Sequence, residues 1–297
     1  MRDYMPFVEK VITAGDIKEV RRYFSSRIGK NIPRGPNENK TPEQVEKVNA
    51  RIAKDKLEKL VHANFIGGVD YFTTLTYRKF ENDKNHDWAK NPATKQEIQW
   101  MKSECTKHMR KLRDWYKKQG ITLKYIKVTE IRDKDGVGIR PHHHLIISMS
   151  SMDALAEMWP HGRVTTSRLD MDYDRINELV SYFTKQKLEP AERQILSKRW
   201  DQSKNLDKPD VDIKEIKSIS VSRPPKEVTG VGKGMKKYQG YKIIEWQNGY
   251  NDITGPWQYV KMVKIADSGP VSTEGKSKPS GAKQSRKAKK ANTKRRC

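Results

Sequence analysis

The chain has 297 residues, 34% of them hydrophobic, with seven Trp and twelve Tyr, which is enough apolar side chain for a packed core of one large or two small domains. Its 61 Lys and Arg against 37 Asp and Glu leave a net charge of +24, the footprint of a phosphate-rich partner, with nucleic acid the leading candidate. No apolar run approaches a bilayer span and the N-terminus leads into no signal-peptide core, so a cytoplasmic, DNA-associated protein with no membrane partner is expected; Cys105 and Cys297 alone make neither a disulfide framework nor a cysteine zinc site.

In chain order, residues 16–26 read as a short helix, and a Pro, Gly and Asn loop follows at 31–39. Thr41, Pro42 and Gln44 form the signature of a capped helix start, and helical sequence continues to about Asn64 before Gly67 and Gly68 break it. Residues 71–77 are aromatic and β-branched and predict a first strand. Thr94 and Glu97 open a second capped helix, in which Ile98, Met101, Cys105, His108, Met109, Leu112 and Tyr116 recur at helical spacing until Gly120 ends it. Cys105 and His108 belong to that core-facing stripe rather than to a ligand set.

A strand over 121–130, a glycine turn at 135–138 and a strand over 139–149 make an antiparallel hairpin, which brings Glu130 near the histidines of the third segment. Those histidines, His142, His143 and His144, open an apolar β-branched run. Side chains at i and i+2 of a strand share a face, so His142 and His144 project together as a pair of metal ligands while His143 turns to the side of Leu145 and Ile147. A register slip would put His143 in the ligand set instead. Further on, residues 151–159 read as a short helix, 163–168 as a strand and 174–188 as a helix. Short strand-like runs follow at 211–222 and 241–263, and a basic tail without periodicity begins at 267. The order of elements is that of an α+β domain.

On the helix over 174–188, Ile176, Leu179, Val180 and Phe183 define the buried side. Tyr182 lies roughly 110° from the middle of that stripe, with Lys185 beside it one turn on. A phenol attacks poorly at neutral pH, so a neighbouring cation and a metal-bound phosphate are what a nucleophilic Tyr requires.

Three segments in order, Phe72-Thr73-Thr74-Leu75-Thr76-Tyr77, Arg140-Pro141-His142-His143-His144-Leu145 and Tyr182-Phe183-Thr184-Lys185, resemble the motifs of the HUH endonuclease superfamily, specifically rolling-circle replication initiators of small phages and plasmids. Ile219-Ser220-Val221-Ser222-Arg223-Pro224-Pro225 is similar to the segment that follows the catalytic helix in such proteins. The middle residue of the paired histidines departs from the family's usual bulky apolar side chain. The resemblance implies a ferredoxin-like (RRM-like) antiparallel palm of four or five strands, with His142, His144 and Glu130 on Mg²⁺ or Mn²⁺, Tyr182 as nucleophile and Lys185 assisting it. It further implies a site-specific single-stranded DNA nickase and strand transferase that initiates replication through a 5′-phosphotyrosyl intermediate on single-stranded or hairpin origin DNA. With no Walker A motif in the chain, a host helicase and a DNA polymerase would be its partners. A transposase or relaxase shares the chemistry; a non-catalytic basic nucleic-acid-binding protein with a structural metal is the rival of another class. The expected division is a helical segment over 1–65, the endonuclease domain over 66–200, an extension with short strands over 201–266 and a disordered basic tail over 267–297.

Overall fold

Gly15 reverses the chain between its first two strands. It sits at φ +53°, and a Cβ there would run into the backbone carbonyl of His62, so both the turn and the close approach call for glycine. The strands are β1 (Phe7–Ala14) and β2 (Ile17–Phe24), paired antiparallel from Ala14 opposite Ile17 to Phe7 opposite Phe24. This corrects the helix expected over 16–26: Ile17, Val20 and Phe24 fall at helical intervals, but Ile17, Glu19 and Val20 are all buried by neighbouring strands and by a helix laid across the sheet. These statements come from a computed structural model that describes residues 7–25, 41–81, 86–217, 238, 240–252 and 255–265. The 219–225 segment, the 31–39 loop and the basic tail lie outside the described residues.

β8 (Asp210–Ile216), β9 (Tyr241–Asn251) and β10 (Gly255–Lys264) complete a five-stranded sheet of order β8-β1-β2-β10-β9, so the hairpin at the start of the chain pairs with strands from the 201–264 region. The helical character expected of 1–65 holds for α1 (Pro42–Asn64), whose predicted capping box forms: the Thr41 hydroxyl accepts from the Gln44 amide and the Gln44 side chain accepts from the Thr41 amide. α1 crosses this first sheet through buried charges as well as apolar groups. Lys261 of β10 bonds both oxygens of Glu58 at 2.6 and 2.7 Å, and Lys59 meets Glu19 of β2 at 3.0 Å.

The second sheet, of order β6-β3-β5-β4-β7, is the α+β palm expected from the sequence and is compatible with an HUH-type fold. Its strands are β3 (Tyr71–Leu75), β4 (Tyr125–Arg132), β5 (Gly138–Ile147), β6 (Val164–Arg168) and β7 (Asp201–Gln202), all antiparallel. One face packs on α3 (Lys95–Lys118), with Leu75, Leu145 and Ile147 against Met101, Cys105, Met109 and Leu112. The other face carries α1 and α5 (Tyr173–Thr184), which close Ile126, Val128 and Ile146 under Leu57, Val61, Ile176, Val180 and Phe183. Each such fully buried aliphatic or aromatic side chain contributes about 1.5–3 kcal/mol through removal from water.

Short helices α2 (Arg78–Glu81) and α4 (Met152–Glu157) flank the α3 side. α5 ends at Thr184 rather than 188, because the next residues turn to bond the sheet: Gln186 Nε2 donates to the Thr129 carbonyl at 2.8 Å and the Lys187 amide to the Asp133 carbonyl at 3.2 Å. A further helix that the periodicity does not suggest, α6 (Pro190–Leu196), then starts on a Glu189 cap and buries Glu192 against Arg132 at 2.8 and 2.9 Å. The chain through Lys264 is one compact unit; Ile265–Cys297 is a separate one. Among the described residues no helix is long and apolar enough to cross a membrane.

Candidate active site

The register of the β4–β5 hairpin builds the site. Glu130 stands opposite His142, Thr129 opposite His143 and Val128 opposite His144, so alternation sends Glu130, His142 and His144 to the α5 face and Thr129 and His143 to the α3 face. The slipped arrangement with His143 among the ligands is thereby ruled out. On the α5 face the Nε2 atoms of His142 and His144 are 2.8 Å apart, and Glu130 Oε2 lies 3.3 Å from the first and 3.9 Å from the second. The ligating atoms of the three residues all lie within 4.8 Å of one another, and the group could hold a metal ion.

Neighbours orient the imidazoles. His142 Nδ1 donates to the Arg140 carbonyl at 2.8 Å, which leaves the Nε2 lone pair facing the cluster. His144 Nδ1 is held by the Thr74 hydroxyl at 2.9 Å, and its ring stacks on Phe72 with centroids 5.2 Å apart. Burial, and after it the neighbouring His142, pushes His144 down to about 4, so this ring is neutral and able to ligate at physiological pH. Burial pushes the Glu130 carboxyl up, but its hydrogen bonds and charge contacts with His142, His144 and Tyr182 outweigh that and hold it below its ordinary value. Glu130 Oε1 is buried and has no hydrogen-bond partner in the protein.

Three imidazole or carboxylate acceptors crowded together, one with an unsatisfied buried oxygen, fit a divalent cation: a positive charge is what removes their mutual repulsion and the cost of the orphan oxygen. Two nitrogens and one carboxylate suit Mn²⁺, and the carboxylate with room for water suits Mg²⁺.

α5 brings Tyr182 onto this cluster. Its hydroxyl donates to Glu130 Oε2 at 2.9 Å and lies 3.1 Å from His144 Nε2, while Lys185 Nζ sits 3.3 Å from the centroid of its ring. Burial and then the Glu130 carboxylate raise the phenol above its ordinary value. All five residues singled out by the sequence, Glu130, His142, His144, Tyr182 and Lys185, therefore come together at one place. Tyr173, the other tyrosine of α5, is turned elsewhere, its ring 5.1 Å from Lys261 Nζ.

His143 is fully buried on the opposite face, between the Tyr77 hydroxyl at 2.6 Å and the Thr129 hydroxyl at 2.9 Å. Sequence reasoning does not single out Thr74, Phe72 or the Arg140 carbonyl as orienting groups. The signal is nonetheless present: Phe72 and Thr74 share a strand face by alternation, and Thr74 is opposite His144 in the β3–β5 register.

The chain matches no curated protein and no solved structure. Residues 70–187, the stretch from the start of β3 to just past Lys185, match the family model described as Replication-associated protein ORF2, and the chain thereby carries a domain of this replication-associated family.

Proposed function

We propose that the protein is a site-specific single-stranded DNA nickase and strand transferase that initiates rolling-circle replication. The observation that carries the reading is the contact of the Tyr182 hydroxyl with both Glu130 and His144, which puts a nucleophile against a metal-ligating group in a basic protein. The family match supports replication over transposition or conjugative transfer within the same chemistry.

Glu130, His142 and His144 would hold Mg²⁺ or Mn²⁺, whose positive charge would offset that of the scissile phosphate. The Tyr182 oxygen forms a bond to phosphorus and the bond from phosphorus to the 3′ oxygen breaks. The phenol gives up a proton, with Glu130 Oε2 as its acceptor in this arrangement, and the departing 3′ oxygen takes one up to become a hydroxyl. Lys185, lying over the ring, supplies positive charge beside the developing phenolate. The 5′-phosphotyrosyl product can be resealed by the reverse steps. The free 3′-hydroxyl primes a host polymerase, with a host helicase opening the duplex in the bacterial cytoplasm.

The test is Tyr182→Phe, which removes one oxygen from a half-buried position. Fold and DNA affinity should stay near wild type while cleavage falls on the order of a thousandfold or more and the covalent adduct disappears. Denaturing electrophoresis of 3′-labelled and 5′-labelled oligonucleotides with Mn²⁺ reads the outcome: only the 3′ label should travel with protein. An adduct on the 5′ label, or cleavage that survives the substitution, would transfer the attack to water.

A further inference from the structure

The three largest open clefts of the described surface are not equal in charge. The one between the first sheet, α1 and α5 mixes Arg21, Arg22, Arg51, Lys54 and Lys261 with Asp55, Glu58 and Glu245, and Arg21 and Lys261 are already committed to ion pairs within it. A cleft of about 840 Å³ on the far side of α1, between α3 and the 198–204 loop, is lined by eight Lys and Arg side chains and one carboxylate, Asp201. Asp201 is itself paired with Lys127 at 3.3 Å. Lys56, Arg110, Arg113, Lys198, Arg199 and Lys204 are exposed there and make no ion pair with any described carboxylate. So much uncompensated charge in one concavity raises the local concentration of a polyanion.

The cleft is continuous with its neighbours. At one end Lys198 and Arg199 also line the depression beside Thr184, Lys185 and Lys187, at the C-terminal end of the helix that carries Tyr182. At the other end Arg113 and Lys204 also line a shallow extension that reaches Lys117. From Lys102 to Lys117 the track runs about 22 Å along α3.

We infer that this basic track, from Lys185 around the β7 edge of the second sheet to Lys117 on α3, holds the backbone of a single DNA strand flanking the one at Tyr182. The polymer is single-stranded because the track turns from the α5 face of the sheet to its α3 face. A duplex with a persistence length of about 150 base pairs resists so tight a bend, whereas a single strand follows it. Trp200 and Tyr125, both partly exposed among the cations, offer ring faces for unstacked bases. The assignment of the flanking strand to a cleaved DNA rests on the proposed nickase; the binding surface itself does not.

The experiment uses the full chain in chelator, so that no cleavage occurs, and a fluorescent oligothymidylate of about 25 nucleotides. Arg110→Gln, Arg113→Gln and Lys204→Gln combined should weaken binding by roughly ten- to a hundredfold at 0.15 M salt and reduce the slope of log affinity against log salt by about 2. An equal loss of charge away from the track, Lys90→Gln, Lys95→Gln and Lys214→Gln combined, should change affinity by no more than about twofold. Equal losses in the two variants would reduce the effect to net charge and overturn the inference, as would unchanged binding in the first. A duplex of the same length should be affected less than the single strand; a greater loss for the duplex would also overturn it. Loss of cleavage in Mn²⁺ with the track effect intact, or the reverse, tells failure of the nickase reading from failure of this one.

Discussion

Strand β5 presents three consecutive histidines to two faces of one sheet, and the two faces treat the same side chain in opposite ways. On the α3 face His143 is closed. Tyr77 donates its proton to the Met101 carbonyl, so its oxygen accepts from His143 Nε2, and Thr129 donates to His143 Nδ1; every lone pair and proton of the ring is used. On the α5 face His142 keeps its proton on Nδ1 and points a free Nε2 at His144 and at a carboxylate with an oxygen to spare. Completed hydrogen bonding makes a histidine structural, and incomplete hydrogen bonding aimed at a shared point makes it a ligand. Residue type alone makes no such distinction.

The comparison breaks most sharply under alanine substitution. His142→Ala or His144→Ala should lower Mn²⁺ affinity by about a hundredfold or more and abolish detectable nicking, since three ligands leave no redundancy. His143→Ala should leave Mn²⁺ affinity nearly unchanged. Calorimetric titration of the three variants decides between them, and equal loss in all three would erase the distinction between the faces. The converse holds for stability. His143→Ala removes a fully buried ring and leaves the Thr129 hydroxyl without its partner, at a cost of about 2–4 kcal/mol in urea unfolding, while His142→Ala, at a partly exposed position, should cost less than about 1 kcal/mol.

Acid should act on the closed kind of histidine. His62 and His108 are buried, and burial holds each down to about 4, well below its unfolded value. Between about pH 6.5 and pH 4 the unfolded chain binds protons at these positions that the folded protein does not, so stability present above pH 6.5 is lost as pH falls through that window. At pH 5 the loss is about 2 kcal/mol for each histidine. Chemical unfolding of wild type and His108→Leu at pH 7 and pH 5 checks this: the variant should lose less on acidification, and an identical loss would mean that His108 does not contribute. The smallest expected effect is at Lys185, which touches the ring of Tyr182 but not the ligand atoms. Lys185→Met should slow single-turnover cleavage by about tenfold with Mn²⁺ affinity unaltered.

What can be read in the sequence follows from periodicity, which is a local property. The shared face of His142 and His144 needs only alternation, the proximity of Glu130 needs only a hairpin, and the position of Tyr182 on α5 needs only a helical wheel. The β1–β2 hairpin escapes periodicity because Ile17, Val20 and Phe24 satisfy a helical interval, although Gly15-Asp16 between β-branched runs is itself a hairpin signal. α6 escapes it because its cap is a glutamate rather than Ser, Thr, Asp or Asn, and because its buried Glu192 finds Arg132 sixty residues away in sequence. The basic track is likewise non-local. Arg110 and Lys204 look like ordinary solvated charges until the 198–204 loop is laid beside α3.

The outer margin of β4 has a consequence for the molecule in bulk. β7 pairs with it over only two residues, yet the flanking chain completes the row: Asn205 bonds the Leu123 carbonyl, Ser203 exchanges bonds with Tyr125, Gln186 takes the Thr129 carbonyl and Lys187 that of Asp133. A strand that would otherwise be a ladder edge has no continuous run of open peptide groups left to template addition from a second copy, and the cations around it repel one. Concentrated solutions should therefore resist intermolecular sheet growth even though the palm contains long β-branched strands. Gln186→Ala, which reopens the middle of that margin, is expected to increase light scattering on mild heating, and an unchanged scattering curve would show that the margin is guarded by charge alone.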